Sequence, residues 1–98
     1  MKLTLTQTGT MLEAKVEERL DTSTSPALEK ELSANLDGIT QLVIDFENLE
    51  YISSAGLRTL LSLQKVMNKQ GRMVVRKANE AVMEVFEITG FVDILTIE

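Results

Sequence analysis

The sequence predicts an α/β fold: a mixed, mostly parallel sheet opened by a β-hairpin, with three helices, in one compact domain spanning residues 1–98. Three observations predict it. Two runs with a two-residue hydrophobic period stand on either side of a Gly9-Thr10 pair, as in a hairpin. Downstream of Pro26 the pattern switches between helical spacing and short apolar runs. Strands that alternate with helices pair in parallel through right-handed crossovers.

In the first run Leu3, Leu5 and Gln7 share one parity and Thr4, Thr6 and Thr8 the other. In the second, Leu12, Ala14 and Val16 alternate with Glu13, Lys15 and Glu17, so one face is buried and the other wet. Asp21-Thr22-Ser23-Thr24-Ser25 reads as a loop, because these side chains bond to nearby backbone. Ser25 is the expected N-cap, with Pro26 at the first helical position. Ala27, Leu28, Leu32 and Leu36 form one helical stripe, and Gly38 ends the element.

Gln41-Leu42-Val43-Ile44-Asp45-Phe46 suits a strand covered on both faces. After a short acidic loop, Leu57, Leu60, Leu61 and Val66 or Met67 recur at helical spacing up to Gly71. Met73-Val74-Val75 reads as another buried strand. Asn79 caps a third helix, with Val82, Val85, Phe86 and Thr89 on one face and Gly90 as its stop. Ile94, Leu95 and Ile97 close with a short strand.

Composition narrows the function. Of 98 residues 44% are hydrophobic and 26% charged, a globular profile with too many aliphatics for disorder. No apolar run reaches the roughly 20 residues of a membrane span, and the N-terminus lacks a signal-peptide core. With no cysteine there is neither disulfide nor thiol chemistry, and the expected compartment is the cytoplasm. With no histidine, Ser-His and Cys-His nucleophile pairs and His-containing zinc sites are excluded. No loop has calcium-binding spacing, so no cofactor or metal is expected. A Ser-Lys pair would need Lys65, far along the helix from Ser54, and we expect no enzymatic activity.

Net charge is −5 and uneven: residues 1–50 carry 4 basic and 10 acidic groups, residues 51–98 carry 6 and 5. Only 4% of residues are aromatic and no basic stripe stands out, which argues against nucleic acid and for a protein partner with a basic contact surface. Lys65, Lys69, Arg72, Arg76 and Lys77 read as a solvated face at a helix–strand junction.

One segment carries chemistry: Asp45-Phe46-Glu47-Asn48-Leu49-Glu50-Tyr51-Ile52-Ser53-Ser54-Ala55-Gly56-Leu57-Arg58. A buried strand ends, and a helix begins at two serines and two small residues. Helix starts leave backbone N–H groups unpaired at the positive end of the dipole. Ser53 or Ser54 therefore has a structural reading as an N-cap, worth about 1 kcal/mol. It also has a functional one, since a phosphoryl group there adds about −1.5 to −2 charge and three acceptors. The helix start tolerates that group, whereas a partner fitted to the neutral serine does not. Ala55 and Gly56 leave room for a partner or pack against the sheet. Arg58, one turn on, neutralises a phosphate or is a solvated side chain.

The run from Asp45 to Leu57, centred on Ser53-Ser54-Ala55-Gly56-Leu57, resembles the signature of the STAS family, whose bacterial members include the anti-sigma factor antagonists. Arg19-Leu20-Asp21 before a Ser/Thr loop is similar to a second landmark of the family. Gly71-Arg72-Met73-Val74-Val75 and Val85-Phe86-Glu87-Ile88-Thr89-Gly90-Phe91 resemble later segments, so the likeness spans nearly the whole chain. It implies a STAS-like fold and a partner switch. The unphosphorylated antagonist binds an anti-sigma factor that is a serine/threonine kinase and frees the sigma factor. Phosphorylation releases the kinase, and a serine phosphatase resets the antagonist.

Residue by residue, the resemblance makes Ser54 the phosphoacceptor and Ser53 the occupant of a position that is often Asp. That substitution makes Ser53 an alternative acceptor. Ala55 stands where another small hydroxyl residue is frequent. The loop Asp21, Thr22 and Ser23 would lie beside the acceptor and, with Ser53, Ala55, Gly56 and Arg58, contact the kinase. Glu18 stands where a Gly often precedes Arg-Leu-Asp, and a C-terminal helix of many members is expected to be short or missing. The alternative function is a STAS scaffold subunit of a larger regulatory complex without a phospho-switch.

Overall fold

The sheet grows outward from its longest strand. The computed structural model describes residues 1–98, with β1 (Lys2–Thr8), β2 (Met11–Leu20), α1 (Ser25–Ser33), β3 (Gln41–Asp45), β4 (Leu49–Ile52), α2 (Ser54–Asn68), β5 (Arg72–Arg76) and α3 (Glu80–Thr89). β1 pairs antiparallel with β2 from Lys2↔Glu17 to Thr8↔Met11, and Gly9 takes the left-handed φ of 60° that the tight turn needs. The expected alternation holds: Leu12, Ala14 and Val16 are buried.

β2 has ten residues, enough to serve two parallel neighbours in succession. β3 pairs with its first half, ending at Lys15↔Asp45, and β4 with its last residues, Glu18↔Leu49 to Leu20↔Ile52. Between them β2 bulges at Glu18/Arg19. Glu18 has φ 74°, the left-handed region in which a Cβ is strained and glycine is not. The residue that departs from the resemblance at this position therefore sits in a backbone conformation suited to the glycine. β5 joins β3 in parallel, so the order is β1-β2-β3-β5 with β4 on β2.

Leu42, Ile44, Met73 and Val75 enter a core cluster with Leu12, Leu28, Leu60 and Phe86. Val43 and Val74 are also buried but lie outside that cluster, so β3 and β5 are covered on both faces, as their continuous apolar runs predicted. Gly71 has a steric role: a Cβ there would lie 1.9 Å from the Thr40 carbonyl oxygen, where α2 returns to the sheet.

Several local expectations need correction. The acidic loop before α2 contains a strand, β4, whose burial runs buried-exposed-exposed-buried and thus has no two-residue period. The closing strand reduces to one bridge, Ile97 with Val75, preceded by a 3-10 turn at Phe91–Asp93. The α1 N-cap is Thr24, and Ser25 is already helical. Ala27 is exposed, outside the Leu28–Leu32 stripe. α1 ends at Ser33, five residues short of Gly38, and α2 ends at Asn68 before Gly71. Thr89 is exposed and its hydroxyl donates to the Val85 carbonyl at 2.7 Å. Asn79 and Gly90 cap α3 as read: Asn79 accepts from the Val82 N–H at 2.8 Å, and Gly90 has φ 81°.

Candidate functional site

The β2–β4 pairing builds the site. Because Leu20 lies opposite Ile52, the segments that leave these strands, Asp21–Ser23 and Ser53–Ala55, emerge side by side. The Ser53 N–H donates to the Leu20 carbonyl at 2.9 Å and ties the two together. Gly56 lets α2 close on that junction: it is buried, and a Cβ would come 2.7 Å from Ile52 Cγ1 and 3.0 Å from the Leu20 carbonyl oxygen. Thr22, Ala55 and Arg58 then share a cleft of about 290 Å³ with Ser25, Glu29 and Thr59.

The Asp21 turn is ordered by its own side chains. Asp21 Oδ1 accepts from Ser23 Oγ at 2.8 Å, Ser23 N at 3.0 Å and Thr24 N at 3.2 Å. In return the Asp21 N–H donates to Thr24 Oγ1 at 2.9 Å, and Thr24 Oγ1 donates to the Arg19 carbonyl at 3.0 Å. The Ser23 hydroxyl, helped by the Ser23 and Thr24 amides, lowers the Asp21 carboxyl pKa to about 2, because each donor favours the charged form. Arg19 spans the junction: Nε stands 3.5 Å from Asp21 Oδ2 and its guanidinium 4.4 Å from the Tyr51 ring centre. At this exposure the cation–π contact is worth about 0.5–1 kcal/mol.

Ser54 is the first residue of α2 and is exposed, as is Arg58 four residues on, on the same helix face. Arg58 makes no ion pair. The N–H groups of Ser54, Ala55 and Gly56 have no acceptor within the protein, and the first α2 amide to find one is Leu57, on the Ser53 carbonyl at 3.0 Å. Ser53 occupies the N-cap but its side chain accepts nothing from the helix. Its Oγ is buried without a hydrogen-bond partner. The cap reading of these serines is thus corrected, since the helix start is left open.

The structure therefore brings Thr22, Ala55 and Arg58 to one cleft, while Asp21, Ser23, Ser53 and Ser54 do not line it but flank Thr22 and Ala55 along the chain. Gly56 contributes from below through close packing. Sequence reasoning missed Thr59, which is buried and lines the cleft, and Tyr51, which holds Arg19. Thr59 at five residues from Ser54 carries no pattern of its own. Tyr51 is the one tyrosine of the chain, and its place beside the serines was the available signal. Of the basic cluster, Lys77 pairs with the buried Asp45 and the exposed Glu47, and Arg72 with the exposed Glu98. No group of acidic side chains is arranged to hold a metal ion, and no helix is long and apolar enough to cross a membrane.

Known proteins resemble this chain in sequence and in fold. BtrV of Bordetella bronchiseptica, a proposed anti-sigma factor antagonist, is 39% identical over 99 residues, covering 99% of this chain and 85% of BtrV. The solved anti-sigma factor antagonist of Mycobacterium paratuberculosis superposes with a TM-score of 0.88 at 24% identity, over 98% of this chain and 83% of that one. SpoIIAA, a cell fate determinant of Bacillus solved in its phosphorylated form, superposes with a TM-score of 0.78 at 17% identity, over 99% and 91%. At such identities the two solved structures speak to the fold alone. The sequence pattern of the STAS domain matches residues 2–98. With that match spanning nearly the whole chain and the fold in agreement, the chain belongs to the STAS domain family.

Proposed function

We propose that this chain is an anti-sigma factor antagonist that binds an anti-sigma serine/threonine kinase when unphosphorylated and releases it when Ser54 carries a phosphoryl group. The observation that carries the reading is the open start of α2. Ser54 stands exposed beside three unpartnered amide donors, with the unpaired Arg58 one turn further on. A phosphoryl group on Ser54 meets those donors, a favourable helix dipole and a cation, so the domain keeps its fold. A partner surface fitted to a neutral hydroxyl meets instead close to two negative charges, and binding fails.

Access supports Ser54 over Ser53 as the acceptor, because the Ser53 hydroxyl oxygen is buried. The kinase contact extends over Asp21, Thr22, Ser23, Ser53, Ala55 and Arg58, and the Asp21 turn offers it a pre-ordered wall. Gly56 belongs to this surface as the residue that lets α2 approach β2. The name given to BtrV and the phosphorylated form of SpoIIAA agree with this reading. A serine phosphatase that removes the phosphoryl group completes the cycle, the chain acts by binding rather than by catalysis, and the exchange takes place in the cytoplasm. As one domain over residues 1–98 it presents a single face to the kinase.

The test is to incubate the chain with ATP and its cognate kinase and to locate the phosphoryl group by mass spectrometry. One modification that disappears in Ser54→Ala and survives in Ser53→Ala is expected, together with loss of kinase binding by Ser54→Asp. If an active kinase leaves the chain unmodified, the scaffold function takes the place of the switch.

A further inference from the structure

Beside the core-facing residues of α3 lies a partly exposed apolar and acidic surface that the Ser54 switch does not use. Val82 and Phe86 face the core. Ala81, Val85 and Ile88, spaced four and three residues apart, form a strip that flanks this face, with Ala81 and Ile88 exposed and Val85 half-buried against the core. Ile88 is 77% exposed. The strip runs into a groove of about 100 Å³ between α3 and β4, floored by Ile52 and Val82 and walled by Tyr51. Tyr51 is itself 43% exposed.

This apolar strip is bordered by acid. Glu80, Glu84 and Glu87 repeat the same spacing one residue earlier and form an adjacent row, and Glu50 lines the groove from β4. None of the four makes an ion pair. The chain has no Lys or Arg after Lys77, so nothing on α3 balances them. The row works against the helix that carries it. Glu84 and Glu87 lie toward the negative end of the dipole, and like charges three and four residues apart repel.

We propose that this α3–β4 face is a second docking surface, which takes a basic amphipathic helix of a protein partner. The apolar side of that helix fills the groove between Tyr51 and Val85 and covers Ile88, and its Lys or Arg residues meet Glu84, Glu87 and Glu50. Charge decides the occupant. A second copy of this chain would set its own α3 row against this one, and an anionic membrane surface would be repelled. Partner cations remove the repulsion within α3 as they bind, so the surface is relieved in the complex.

The experiment is an NMR titration of the isotope-labelled chain with a synthetic helix of leucine and lysine at amphipathic spacing. A peptide of the same composition in scrambled order serves as the control. The amides of Tyr51, Ala81, Val85 and Ile88 are expected to shift, with affinity about tenfold or more above the scrambled peptide. Glu84→Lys with Glu87→Lys, and separately Ile88→Ser, each lower the affinity about tenfold. These side chains are exposed, and retained spectral dispersion checks that each variant is folded. Equal binding of both peptides, shifts centred on Asp21–Ser23, unchanged affinity in the variants, or self-association mapping to α3 would each overturn the proposal.

Discussion

The first turns of α1 and α2 lie side by side at the ends of two paired strands, and only one of them is closed. At α1 the Ser25 N–H donates to the Asp21 carbonyl, Ala27 and Leu28 donate to the Thr24 carbonyl, and Pro26 has no N–H to satisfy. At α2 the first three N–H groups find nothing within the protein, and the N-cap serine turns its hydroxyl inward. α3 sides with α1, capped by Asn79. The closed turn makes a rigid wall, and the open one keeps donors available to whatever approaches. A serine-rich helix start is therefore not one kind of object: the Asp-x-x-Thr spacing closes one, and its absence leaves the other open.

The largest effect is expected at Gly56, where the start of α2 is pressed onto the ends of β2 and β4. Gly56→Ala puts a Cβ against Ile52 and the Leu20 carbonyl. We expect a loss of about 1–3 kcal/mol in urea unfolding and weaker kinase binding, since α2 must move off the Asp21 turn. An unchanged unfolding midpoint would mean that the close approach is not needed.

Next in size is a pair of cap deletions. Asn79→Ala removes an N-cap that also donates to the Leu49 carbonyl at 2.8 Å, and about 1–2 kcal/mol is expected to be lost. Ser53→Ala removes a hydroxyl with no partner, and we expect a change of under about 0.5 kcal/mol instead of the ~1 kcal/mol typical of a serine cap. Equal losses for the two variants would show that α2 is capped after all.

A smaller effect of opposite sign sharpens the contrast. Ser54→Asp places a carboxylate at the open start, and thermal unfolding should show a gain of about 0.3–1 kcal/mol even as kinase binding is lost. A variant that loses both stability and binding would point to damage rather than to a switch.

The smallest effect is local and depends on pH. The Asp21 carboxyl is depressed to about 2 in the folded chain from an ordinary value of 3.8. Its contribution is thus whole above pH 3.8 and is lost as pH falls from 3.8 towards 2. Carboxyl-carbon NMR shifts read this directly, and Ser23→Ala should move the pKa back upward. A carboxyl that titrates at its ordinary value in the parent chain would remove the closed-turn half of the comparison.

What the sequence by itself determined is whatever depends on near neighbours. The alternation of Leu12, Ala14 and Val16, the apolar runs of β3 and β5, the Leu57, Leu60 and Met67 part of the α2 stripe (Leu61 is half-buried and Val66 exposed) and the Asn79 and Gly90 caps are all local patterns. Pleat, helical period and positive φ are properties of a few consecutive residues, so they can be read along the chain. The serine motif was legible for the same reason; the glycine-like position of Glu18 came only from the resemblance to the STAS family, and its bulge was not legible at all.

Only the tertiary structure decided what lies beside what. β4 is four residues without alternation, and it exists because β2, thirty residues earlier, offers it an edge. That pairing brings the Asp21 turn to Ser54, and the packing of α2 against it turns the Ser53 hydroxyl inward while leaving Ser54 outside. Two adjacent serines are chemically identical along the chain. They differ only once a long-range contact has chosen which of them faces the core.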